Sequence, residues 1–154
     1  FVLVGDGLLA GMWHERARDL SNVLFFPTVD KDEYLDVLRA SEVCLMPLTR
    51  ELTSPAIPGK LQNIMAVGKP VIAVVPTGSD AAQAVEACEC GIVVEPGAAE
   101  ALSEAVMTLR DDVRLRATLG ARGREFAERH FDLAIARESI EDVISRAQAA
   151  GERL

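Results

Sequence analysis

Positive charge is in short supply in this chain. Sixteen lysines and arginines stand against 24 aspartates and glutamates, a formal net charge of −8. Neutralising a phosphate backbone needs a basic face, so a nucleic-acid partner is disfavoured and none is expected. Long apolar runs are missing as well. Val71 to Pro76 and Val43 to Leu48 are among the longest, far short of the roughly 20 residues that cross a bilayer. Three cysteines, Cys44, Cys88 and Cys90, show no paired metal spacing, and the close pair has no partner pair or histidines to complete a zinc site. They read as a reduced cytoplasmic thiol set, with no metal expected. His14 and His130 are isolated, with no Ser or Cys at a nearby strand-end turn, which disfavours a hydrolase triad. There is no initiator Met and no signal-peptide charge pattern. Phe1-Val2-Leu3-Val4 begins inside what reads as a buried strand, so the expectation is a domain cut from a longer protein.

What is present fits one well-packed globular domain: 154 residues, 49% hydrophobic and 26% charged. Short apolar, β-branched runs alternate with longer segments of helical period, the pattern of βαβ units in a parallel sheet covered on both faces. Strands are expected at Phe1 to Val4, Val23 to Phe26, Val43 to Pro47, Val71 to Val75 and Gly91 to Glu95. Helices are expected over Leu8 to Leu20, Asp30 to Ala40 with its acidic first turn, Lys60 to Val67 ended by Gly68, and from a Ser79 or Asp80 cap to about Cys88. From Ala98 onward everything is helical: Ala98 to Leu109, Val113 to His130, and Leu133 to about Ala149. The fold class is therefore α/β, a doubly wound parallel sheet with a helical C-terminal tail. The division is set at residues 1–131 for the domain and 132–154 for the terminal helix.

Turn chemistry gathers after the strands: Gly5-Asp6-Gly7, Pro27-Thr28, Pro47 to Gly59, and Pro76-Thr77-Gly78. In open α/β sheets ligands bind at the carboxyl ends of strands. Gly5 and Gly7 let backbone approach a ligand at a helix start, or they only make the bend. The residue three after Gly7 is Ala10 rather than a third glycine, which disfavours a dinucleotide-binding dehydrogenase. Ser54 to Asn63 runs from a loop into a short helix. Pro58, Gly59, Lys60 and Leu61 form a helix start whose amides, dipole and ammonium suit a pyrophosphate, although Lys60 could equally be a solvated surface charge. Asn63 is polar among apolar neighbours, open to a ligand hydroxyl or to a capping or core hydrogen bond. Glu51 and Glu86 are further acids near the expected edge, each more commonly a solvated side chain. The basic run Arg110 to Arg129 reads as exposed helix faces with charge pairs four apart.

Taken in order, Phe1 to Gly7, Asn22 to Phe26 and the LDVLRASEVCLMP run of Leu35 to Pro47 resemble the retaining glycosyltransferases of family GT4 (group 1). Pro58-Gly59-Lys60-Leu61 with Met65 to Ala73 is similar to that family's donor-site helix and following strand. Cys90 to Gly97 resembles its glycine-to-proline-glycine turn, with Ala98 where Asp is common. The likeness covers almost the whole chain.

The resemblance implies the Rossmann-like C-terminal domain of the GT-B fold, without its usual first strand and helix. It implies binding of a nucleotide-diphosphate sugar, UDP- or GDP-activated, through Gly5, Gly7, Pro58, Gly59, Lys60, Leu61 and Asn63. The family often carries two glutamates eight positions apart; those positions here are Pro55 and Asn63. This departure resembles the subset with a Pro-Ser-Lys-Leu loop, in which Lys60 would contact the diphosphate and Gly59 replaces Ser. Asn63 would then meet a ribose or sugar hydroxyl as a neutral hydrogen-bonder. The acceptor domain and its catalytic residues lie outside the chain, so no catalytic residue is assigned and the fragment alone is expected to be inactive. No cofactor beyond the donor substrate is implied. The full-length protein is expected in the cytoplasm, with peripheral contact to the inner face of the membrane through the absent domain. The unpaired sheet edge predicts self-association. An epimerase relative would need several acids and a histidine around UDP, and a receiver-like interaction module would need an acidic strand-end cluster; neither is found. A non-catalytic nucleotide-binding or interaction module on the same fold remains the other reading.

Overall fold

The computed structural model describes residues 1–49 and 57–151. The chain separates into two compact units, Phe1–Val37 and Leu38–Leu154, and each is taken by itself.

In the first unit, β1 (Val2–Val4) and β2 (Leu24–Phe26) form a parallel pair with Val2 opposite Leu24 and Val4 opposite Phe26. Helix α1 (Ala10–Ala17) joins them, and α2 (Lys31–Ala40) follows, its residues from Leu38 onward counted with the second unit. The Asp30 carboxylate accepts from the Asp32 and Glu33 amides, both at 2.9 Å, and so starts α2 where the acidic turn predicts. His14 of α1 stacks on Phe25 at 4.0 Å, on the face that Phe25 shares with Leu3. The expectation of a buried first strand is corrected here. Val2, Leu24 and Phe26 share the other face and are 53%, 54% and 49% exposed. Strand propensity came from their β-branched and aromatic side chains, whereas burial needs a second layer on that face.

The second unit has β3 (Cys44–Pro47), β4 (Val71–Val74) and β5 (Gly91–Val94) in the order β3-β4-β5, all parallel. The five expected strands are thus all present, in a two-stranded and a three-stranded sheet. In β4, Val71, Ile72 and Ala73 are fully buried, as a central parallel strand requires. On β3 only Cys44 and Met46 are buried while Leu45 and Pro47 are exposed, so this strand is covered on one face rather than both. Gly91 admits no side chain, because a Cβ there would stand 2.0 Å from the Val71 carbonyl oxygen.

Helices α3 (Gly59–Ala66), α4 (Asp80–Ala87), α5 (Ala99–Asp111), α6 (Val113–His130) and α7 (Leu133–Gly151) complete the unit. Ser79 caps α4 through the Ala82 amide at 3.2 Å, as read from sequence. Asp112 caps α6 through the Leu115 amide at 2.8 Å. Ile72, Val94, Ala105, Leu109 and Leu119 form a buried cluster between sheet and helices. Exposed ion pairs four residues apart, Arg124 with Glu128 and Arg129 with Glu125, line α6 as expected. The break between α6 and α7 falls at residues 131 and 132, while the division into compact units falls after Val37. No helix among the described residues is long and apolar enough to cross a membrane.

Candidate functional site

The placement of α3 follows from its length. Its C-terminal end lies beside the start of β4, where Lys69 donates to the Ile64 carbonyl and Pro70 accepts from the Cys44 amide. An eight-residue helix is about 12 Å long, close to the length of a four-residue strand. Its N-terminus therefore reaches the carboxyl edge of the three-stranded sheet.

That N-terminus is undercapped. Pro58 occupies the N-cap with no side-chain hydrogen bond. The Leu61 and Gln62 amides donate back to the Pro58 carbonyl at 2.9 and 3.4 Å. The amides of Gly59 and Lys60 have no partner among the described residues, which leaves two donors at the positive end of the helix dipole. Lys60 and Asn63 are three residues apart, hence on one helix face, and both are exposed. The Asn63 side chain makes no hydrogen bond among the described residues, so neither of the capping and core roles open to it is present there. Leu61 differs from its neighbours. Its side chain is fully buried and its amide is engaged, so it anchors the helix and presents nothing at the edge. A Cβ on Gly59 would meet no atom within 4 Å, leaving room where the related loops carry Ser. Residues 50–56, with Glu51 and Pro55, lie outside the described residues.

Beyond the ends of β4 and β5, one carboxylate that sequence reasoning passed over ties two loops together. Glu95 Oε2 accepts from both the Thr77 amide and the Thr77 hydroxyl at 2.8 Å. The available signal was its position as the last residue of an expected strand, which the structure ends one residue earlier, at Val94. Gly78 beside it has φ +83°, a left-handed conformation that favours glycine, and its carbonyl accepts from the Gln83 amide group at 2.9 Å. Glu86 goes the other way. It sits in the last turn of α4, a helix that runs back from the carboxyl edge toward the start of β5, so it belongs to the opposite end of the sheet.

In the first unit, the turn after β1 is built around Gly5, whose φ of +141° few other residues adopt. Its amide donates to the Phe26 carbonyl at 3.0 Å, and the Asp6 carboxylate accepts from the Thr28 amide at 2.8 Å. Asp6 thereby braces the turns after β1 and β2 against each other. The Gly7 carbonyl accepts from Ala10 at 2.8 Å at the start of α1.

The thiols take no part at either edge. Burial pushes Cys44 up to about 11, with nearby Lys69 offsetting only part of the rise, and pushes Cys90 up to about 12 with Cys88 adding to it. All three cysteines are free and buried. No group of three metal-binding side chains occurs among the described residues.

The family model of glycosyl transferases group 1 matches residues 1–112. The chain belongs to the group 1 glycosyl transferases. A curated relative of this group 1 chain is the GDP-mannose-dependent monoacylated alpha-(1-6)-phosphatidylinositol monomannoside mannosyltransferase of Corynebacterium glutamicum. It is 29% identical over 147 residues, covering 93% of this chain and 38% of the relative. Among solved structures, the sucrose-phosphate synthase of Thermosynechococcus elongatus superposes with a TM-score of 0.77 at 26% identity, covering 97% of this chain and 38% of that one. HepE of Anabaena, solved in complex with UDP-glucose, gives 0.75 at 22% identity, covering 94% and 40%; at that identity the likeness is one of fold. The group 1 chain thus spans about two fifths of the length of these relatives. Their shared architecture agrees with the Rossmann-like parallel α/β fold expected from the sequence.

Proposed function

We propose that this chain is the donor-binding part of a retaining glycosyltransferase that uses a UDP- or GDP-activated sugar. The observation that carries the reading is the start of α3. Two amides without a partner among the described residues, an exposed ammonium on Lys60 and an exposed amide on Asn63 stand at the carboxyl edge of a parallel sheet. The amides and Lys60 suit the diphosphate, and Asn63 suits a ribose or sugar hydroxyl. Gly5 and Gly7 are assigned to close backbone approach at the corresponding edge of their own strand pair. The donor is bound without a metal, and Pro55 leaves the first acidic position of the related loops unfilled.

Both nucleotides have support, since one relative is named GDP-mannose-dependent and HepE was solved with UDP-glucose. The relative named for a phosphatidylinositol monomannoside supports an acceptor in cell-surface glycan or glycolipid synthesis. We place the full-length enzyme in the cytoplasm, at the inner face of the membrane. Transfer needs both substrates held in line and the leaving diphosphate stabilised. We assign the rest of that task to an acceptor domain and expect no turnover from this chain alone. The open apolar face bearing Val2, Leu24 and Phe26 supports self-association of the isolated chain, and a clean monomer in light scattering at high concentration would count against it.

The test is calorimetric titration with UDP, GDP and ADP, alongside Lys60→Ala. Binding of one diphosphate that Lys60→Ala weakens about tenfold, at unchanged stability, is the expected result. A folded chain that binds none of the three would sink the donor reading and favour an interaction module on the same fold.

A further inference from the structure

The N-terminus of α3 has no side-chain cap among the described residues and is held from below by buried Leu61, so the tilt of the helix about that anchor depends on what grips its other end. That grip comes from α6. Gly120 lies so close to the turn after α3 that a Cβ would stand 2.2 Å from the Gly68 carbonyl oxygen. Gly68 itself adopts φ +71°. One turn further along α6, a Cβ on Gly123 would stand 3.1 Å from Cys90 Cβ and 3.5 Å from Met65 Cγ. Both α6 glycines are buried. Next to them the Arg124 guanidinium donates to the Ala66 carbonyl, at the C-terminal end of α3, while its Nε is held by Glu128 at 2.6 Å. Cations belong at a helix C-terminus, where carbonyls are left without amide partners.

Resting on the donor-site reading above, we infer that Gly120, Gly123 and Arg124 are positioning residues that set the tilt of α3 and hence the aim of the Gly59 and Lys60 amides at the diphosphate. The family match ends at residue 112 and α6 begins at Val113, so this seat is built from residues outside the matched region. A short helix moves as a rigid rod. A Cβ on Gly123 would crowd Cys90 and meet Met65 only at ordinary contact distance, so it would push α6 off Cys90 by a few tenths of an ångström. The C-terminal end of α3, seated on α6 through Gly120 and Arg124, would follow, and its N-terminal amides would be displaced as well.

The decisive experiment measures residual dipolar couplings of the α3 and β4 amides in the 154-residue chain, together with UDP and GDP affinity and melting temperature. Gly123→Ala and Arg124→Gln are expected to stay folded, to rotate α3 relative to β4, and to weaken diphosphate binding about tenfold. Arg124→Lys should recover part of both effects, because an ammonium still reaches the Ala66 carbonyl but lacks the fork that Glu128 also engages. Val85→Ala, in the core of α4, controls for lost stability alone. Unchanged couplings in Gly123→Ala and Arg124→Gln overturn the inference, as does an equal affinity loss in Val85→Ala. If the unaltered chain binds neither nucleotide, the donor reading fails by itself, and the couplings still decide whether α6 seats α3.

Discussion

The strand pair of the first unit and the sheet of the second are written in nearly the same alphabet. Val2-Leu3-Val4 and Val71-Ile72-Ala73 are both short, apolar and β-branched, yet the first run is largely exposed and the second is completely buried. Side-chain chemistry decides that each is a strand. Burial is decided by the number of layers the rest of the unit supplies. Among the described residues the second unit brings α3 to α7 to its three strands. In the first unit α1 stacks on one face of the pair through His14, and Val2, Leu24 and Phe26 stay open on the other. Hydrophobicity of a strand is thus a statement about where it could go.

Matched truncations in the two sheets should break or sharpen this contrast most strongly. Ile72→Ala empties a fully packed site and should cost about 2–5 kcal/mol in urea unfolding. Leu24→Ala, on the half-exposed face, should cost under about 1 kcal/mol. Comparable losses at both positions would show that the face of the first unit is covered in solution.

An intermediate effect is expected at alkaline pH, where only the second unit has thiols. Burial raises Cys44 from 9.0 to about 11 and Cys90 from 9.0 to about 12. The folded state then holds these protons after the unfolded chain has released them. Their contribution is complete below pH 9 and is lost as pH climbs through 11 to 12. Stability measured across that window should fall, and Cys44→Ala with Cys90→Ala should flatten the fall. A decline of the same steepness in the double variant would count against the thiols as its source.

Two smaller effects probe local geometry within the second unit. Thr77→Val removes one of the two hydrogen bonds to Glu95 and should cost about 1 kcal/mol or less at this exposed site, with amide exchange at Thr77 as the readout. Glu89 is the one non-glycine residue with positive φ among the described residues, at +47°, and it pairs with Arg122. Glu89→Gly relieves the left-handed strain but removes an exposed ion pair of comparable worth. The net change should stay within about 0.5 kcal/mol.

Much of this architecture was legible in the residue order. The alternation of apolar runs with helical periods located all five strands and all seven helices within a few residues. Ser79 and Gly68 gave two helix ends correctly, because caps and left-handed turns are local chemistry. Lys60 and Asn63 could be placed on one helix face by spacing alone. What stayed hidden depends on distant partners. Nothing near Glu95 in sequence announces Thr77, and Asp6 looked like a turn residue until Thr28 came beside it. Glu86 was misplaced because its nearness to a strand-end loop in sequence ignored the direction in which α4 runs. The α6 glycines were absorbed into a helix that reads as an exposed charged surface, since a helical glycine declares its purpose only when another backbone crosses it.

Those glycines also bear on the order in which the molecule assembles. Each costs roughly 1 kcal/mol relative to alanine inside a helix, and α6, at 18 residues, is only slightly longer than the roughly 12–15 below which even good helix formers are marginal in water. A peptide of residues 113–130 should accordingly be almost without helix, and α6 should wind only once it has a surface to wind on. That surface comprises the turn at Gly68, Met65 and Cys90, all completed earlier in the chain. On a ribosome, the sheet with α3 would emerge first and serve as the mould. The segment that later holds α3 in place would take its own shape from it.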